Sequence, residues 1–68
     1  MRLRDRDALR AYLRLLRMSE RAFAARAGIA PATLNHLLTG RRDSCSPRTA
    51  RAIEAGLRCP DGVFFDPD

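Results

Sequence analysis

One histidine, two cysteines and thirteen basic residues, every one an arginine, leave this chain a narrow choice of chemistry. A metal site needs more ligands than His36, Cys45 and Cys59 supply, and two cysteines are too few for a disulfide framework. Cys45 reads as a loop thiol partly open to water and Cys59 as a small apolar residue of the interior. No nucleophile, base and acid stand together in a usable pattern, so neither catalysis nor a cofactor or metal is expected. What remains is guanidinium chemistry. The 13 basic residues outweigh 8 acidic ones, for a formal charge of +5. Arginines crowd the segment from Arg2 to Arg42, where the pair Arg41-Arg42 follows Gly40, whereas Asp61, Asp66 and Asp68 collect at the far end. Such an excess on so small a body favours a polyanion such as nucleic acid. The competing reading is arginine that merely keeps helix faces in water, and charge alone does not separate the two.

The elements that must position these groups are helices. At 68 residues and 46% hydrophobic composition, the chain reads as one domain over 1–68 with a small core. No apolar run approaches the roughly 20 residues of a membrane span and no cleavable leader is expected, which predicts a soluble intracellular protein. No alternating β-branched run marks a strand. Leu9, Tyr12, Leu13 and Leu16 make one stripe of a first helix, which Asp5 or Asp7 can cap. Ser19 caps a second helix, with Glu20 in its first turn, Phe23 and Ala27 facing inward and Gly28 ending it. Pro31 starts a third by forcing Ala30 out of helical geometry; Leu34, Leu37 and Leu38 are its buried face and Gly40 its stop. Ser46-Pro47 opens a fourth, with Ala50, Ile53 and Leu57 inward and Gly56 weakening it by about 1 kcal/mol. A last turn, "PDGVFF", folds Val63 and one or both phenylalanines back on the core.

The stretch "MSERAFAARAGIAPATLNHLLTG" resembles the helix-turn-helix of the lambda repressor/Cro family of phage and bacterial regulators, also called XRE-type. The likeness covers about residues 9 to 65. Its pieces are Ser19 opening a helix, Phe23-Ala24 inside it, Gly28-Ile29 at the turn, Thr33-Leu34 in the next helix and Gly40-Arg41 at its end. The later "IEAGLRCPDGVFF" looks like the family's closing helix and terminal turn. The implied fold is all-α, a compact four-to-five-helix lambda repressor-like domain with the helix-turn-helix at about 19–39. The spacing has its own physical logic. Ala24 is small where two helices cross, and Gly28 allows the tight turn. Ile29, Leu34 and Leu37 anchor the third helix so that Pro31, Ala32, Asn35 and His36 face outward.

In that family the start of the third helix enters the major groove of DNA. The resemblance therefore implies Pro31, Ala32, Asn35 and His36 as base-contacting positions. Asn35 can pair in bidentate fashion with adenine, His36 can bond a guanine edge, and Ala32 can touch a thymine methyl. It implies phosphate contacts from Ser19 and Arg21 on one side, with the amides beside them, and from Thr33, Thr39, Arg41 and Arg42 on the other. Three positions depart from the pattern. Pro31 stands where many relatives carry a polar base reader, so readout there is steric or absent. Glu20 replaces the usual glutamine; phosphate repels its carboxylate, which is expected to cap the helix or hold Arg21. Leu13 and Leu38 replace an arginine–glutamate pair, and an apolar pair avoids the cost of desolvating buried charges.

The function these readings imply is a sequence-specific double-stranded DNA-binding transcriptional regulator of Cro or small-repressor type. It would work in the cytoplasm of a bacterial cell or phage-infected host. The alternative is an antitoxin-type or other protein-interaction module on the same fold. A weak homodimer, formed on DNA through Val63, Phe64 and Phe65, is the favoured assembly, although the core alone could use all three. "MRLRDR" reads as a frayed basic end, with residues 1–4 as an alternative flexible arm and 66–68 as a tail.

Overall fold

The computed structural model describes residues 1–67. In chain order it contains β1 (Arg2–Leu3), α1 (Arg6–Leu15), α2 (Glu20–Ala27), α3 (Pro31–Thr39), α4 (Pro47–Gly56) and β2 (Phe65–Asp66). Helix starts follow local chemistry. The side chains of Asp5, Ser19 and Ser46 accept from the N–H groups of Ala8, Ala22 and Thr49 at 3.0, 3.0 and 3.2 Å, each satisfying a donor that has no partner inside its helix. α3 has no side-chain cap; Pro31 sets its first turn and Ala30 stays extended (φ −68°, ψ 136°). Gly28 and Gly40 end α2 and α3 in left-handed backbone, at φ 74° and 86°. After α1 and α4 the same geometry falls to Arg17 (φ 55°) and Arg58 (φ 59°), residues whose Cβ resists it.

The helices close around Leu9, Leu13, Phe23, Leu34, Leu37, Leu38, Ile53 and Leu57, all buried. α2 lies against both α3 and α4, and α1 against α3. Ala24 of α2 is fully buried. Gly56 serves a purpose its helix propensity hides. A Cβ there would come within 3.0 Å of Phe23 Cζ and 3.4 Å of Ala27 Cβ, so glycine lets α4 approach α2. Leu13 and Leu38 are buried in the common core, 5% and 4% exposed, as the apolar replacement requires. Cys45 and Cys59 are both half-buried, so Cys59 sits nearer the surface than a core residue.

Four expectations need correction. Strands exist: Arg2 pairs with Asp66 and Leu3 with Phe65, antiparallel. Each strand has two residues, too few for any periodicity to show. Residues 1–4 are therefore neither frayed nor a free arm. Met1 and Leu3 are buried, the Leu3 N–H donates to Asp43 O at 2.8 Å, and the Cys45 N–H donates to Met1 O at 2.8 Å. Arg2 also bridges Ser44, so the first residues lie between β2 and the loop after α3. Next, Phe64 and Phe65 are 6% and 0% exposed while Val63 is 44% exposed. The phenylalanines belong to the core and offer no dimer surface. Of the assumed 66–68 tail, Asp66 is paired in β2 and Asp68 lies outside the described residues.

Glu54 explains why the last turn folds inward. Its side chain is fully buried; Oε2 accepts from the N–H groups of Gly62, Phe64 and Phe65 at 3.0, 3.0 and 3.2 Å, and Oε1 accepts from Arg51 at 2.8 Å. Burial alone would push its pKa up. The Phe64 amide, Arg51 and the other two amides outweigh that and hold the carboxyl below its ordinary value of 4.5.

Candidate nucleic-acid interface

α3 is built to show one side. Leu34, Leu37 and Leu38 face the core, whereas Pro31, Ala32, Asn35 and Thr39 are exposed. Arginines of α1 fasten its far end. Arg6 Nε donates to Leu37 O at 2.9 Å and Arg10 Nη1 to Leu38 O at 3.1 Å, taking carbonyls that the last turn leaves without partners. Arg6 also reaches Asp43 Oδ1 at 2.5 Å, tying α1 to the loop after α3.

The expected base-facing residues do not share one environment. Pro31 and Ala32 are exposed at the start of α3. His36 is half-buried and lines a groove with Ala32, Thr33, Arg42, Ser44, Cys45, Ser46 and Thr49. Asn35 turns the other way, towards α2, where its Nδ2 donates to Glu20 Oε1 at 3.0 Å. Glu20 thus neither caps α2 nor holds Arg21. It reaches across the turn to the next helix.

The expected phosphate-facing residues divide as well. Ser19 accepts from Ala22 N–H and keeps its own hydroxyl proton. Thr39 Oγ1 donates back to Asn35 O at 2.9 Å, so its single proton is committed inside α3. Thr33 is half-buried between the α3–loop groove and a second one lined by Gly28, Ile29, Arg48 and Ala52. Arg21, Arg41 and Arg42 are exposed. None of their side chains forms an ion pair or hydrogen bond among the described residues. Arg42 is placed by its backbone, whose N–H donates to His36 O at 3.1 Å.

Sequence reasoning missed several residues of this surface. Arg48, just after Pro47, is exposed beside the helix-turn-helix, and Ser44, Ser46 and Thr49 bring hydroxyls to the His36 groove. The Ser46-Pro47 start could have pointed to them, because residues at a helix start stand beside exposed amides. Nothing local signals the Glu20–Asn35 bond. No group of three or more potential metal ligands occurs among the described residues, and no helix of the described residues is long and apolar enough to cross a membrane.

Two helices joined by a left-handed glycine, the second exposing its outer side next to free arginines, define a helix-turn-helix protein. A family model described as Helix-turn-helix matches residues 9–64, well over half of the chain. The chain belongs to the lambda repressor-like helix-turn-helix family of DNA-binding regulators. No curated protein and no solved structure gives a significant match.

Proposed function

We propose that this protein is a sequence-specific double-stranded DNA-binding transcriptional regulator of Cro or small-repressor type, acting by occupying an operator. The observation that carries this reading is the outer side of α3. Pro31, Ala32 and Asn35 are exposed there, His36 borders a groove also lined by Arg42, and Arg21, Arg41 and Arg42 have no side-chain partners among the described residues. With α3 in the major groove, Ala32, Asn35 and His36 meet base edges while Pro31 makes only steric contact. Ser19, Arg21, Arg41 and Arg42 grip phosphate. Thr33 joins them only if its half-buried hydroxyl reaches the backbone, and Thr39 serves as an acceptor on the α3 surface.

The test is selection of bound duplexes from a random pool, followed by titration across a salt range. The expected result is an enriched site whose affinity falls with a log–log slope of about −0.9 per phosphate contacted. Asn35→Ala is expected to weaken that site and relax preference at one base pair. Equal losses on selected and random duplexes would remove Asn35 from the readers, and failure to enrich any duplex would end the proposal. One observation favours a second reading, a protein-interaction module: Leu15 on α1 is 79% exposed. It is a single apolar side chain.

A further inference from the structure

We infer that Glu20 is a positioning residue that decides which edge of the Asn35 amide meets a base, and thereby sets a preference for adenine over guanine at that base pair. This rests on the reading of α3 as the groove-entering helix. The bond joins the two helices of the motif, with Asn35 Nδ2 3.0 Å from Glu20 Oε1 across 15 residues of sequence. Both residues are exposed, so the bond has no role in closing the core.

A carboxylate can only accept hydrogen bonds. Facing Glu20, Asn35 must present its NH2 group, which turns Oδ1 away. A glutamine at position 20 could offer either its oxygen or its own NH2, and the Asn35 amide could then settle in either orientation. Glu20 is the first residue of α2, directly after the Ser19 cap, where the helix dipole favours a negative charge.

The pinned amide has a definite recognition face. One Nδ2 hydrogen is taken, leaving Oδ1 and one hydrogen. That combination matches adenine, whose N6 donates and whose N7 accepts. Guanine presents two acceptors, O6 and N7, and would set Oδ1 against one of them. Rotating the amide to suit guanine would place Oδ1 against the Glu20 carboxylate. Removal of water on a duplex strengthens both the bond and the penalty for breaking it.

The experiment uses the parent protein and the variants E20Q, E20A and N35A on the duplex enriched by the parent. The base pair sensitive to N35A is then changed from adenine to guanine. The parent is expected to prefer adenine by about ten-fold or more, as a bidentate contact does. In E20Q and E20A the ratio is expected to fall to about three-fold or less, with preferences at the other base pairs unchanged. Both variants lose a negative charge and should bind all duplexes somewhat more tightly, so the ratio is the readout and not the affinity. In the free protein, the Asn35 side-chain amide protons should shift in the nuclear magnetic resonance spectrum of E20Q, whose fold is checked by circular dichroism. An unchanged adenine-to-guanine ratio in both Glu20 variants overturns the inference and leaves DNA binding intact. A parent that enriches no duplex removes the proposed function, and this inference with it.

Discussion

Two groups of arginines use the same side chain for opposite ends. Those of one group are consumed by the structure. Arg4 meets Asp66 at 3.4 Å and Gly62 O at 3.1 Å, and Arg51 bridges the buried Glu54 and Asp61 at 2.8 and 3.6 Å. Beside α3, Arg21, Arg41 and Arg42 have no such partners among the described residues and stand in water. A charge already neutralised internally gains little from a phosphate, while an unpaired one releases counterions when it meets one. Net charge therefore overstates the binding surface, and pairing shows which part of it is available.

The sharpest way to break this contrast is to attack the consumed group. Glu54→Ala leaves three buried or half-buried N–H groups without their acceptor and is expected to cost about 3 kcal/mol or more in denaturant unfolding. The same carboxylate predicts acid sensitivity. Its folded pKa lies below the ordinary 4.5, so its contribution is complete above that pH and is lost as pH falls through the lowered folded value. Unfolding measured from neutral to strongly acidic pH should show that loss, and Glu54→Gln should flatten it.

The available group is tested next. Arg41→Ala with Arg42→Ala should weaken all duplexes alike and reduce the salt slope by about 2, one for each lost phosphate contact. Arg4→Ala should leave the slope unchanged. If Arg4→Ala lowered it as much, the division between the two groups would fail. Smaller effects concern the scaffold. Gly56→Ala should destabilise by roughly 1 kcal/mol despite better helix propensity, because the new Cβ meets the buried Phe23 ring. Arg17→Gly should stabilise by about 0.5–1 kcal/mol by relieving a left-handed backbone, read as a small rise in Tm.

Features set within a few residues were legible in advance. Asp5, Ser19 and Ser46 cap the helices expected of them, Gly28 and Gly40 stop them, and the stripes through Leu9, Leu34 and Ile53 face inward. Contacts between distant residues were not. Glu54 follows Ile53 in a helix rich in polar residues, and its burial is decided by amides contributed 8 to 11 residues later. Val63, Phe64 and Phe65 look alike in sequence, yet the Glu54 anchor turns two of them inward. At the candidate site, exposure of Pro31, Ala32 and Asn35 followed from the apolar stripe behind them. The commitments of Asn35 to Glu20 and of the Thr39 proton to its own helix arise from geometry that no spacing encodes.

The segment joining α3 to α4 carries Arg41 and Arg42 and would be soft if tethered only at its two ends. The opening residues of the polypeptide stitch its middle: Leu3 to Asp43, Met1 to Cys45 and Arg2 to Ser44. Trimming three residues from the front would thus be felt some 44 positions away. Deuterium uptake at Cys45 would rise first, and the proposed grip on DNA would slacken although Arg41 and Arg42 remained in place.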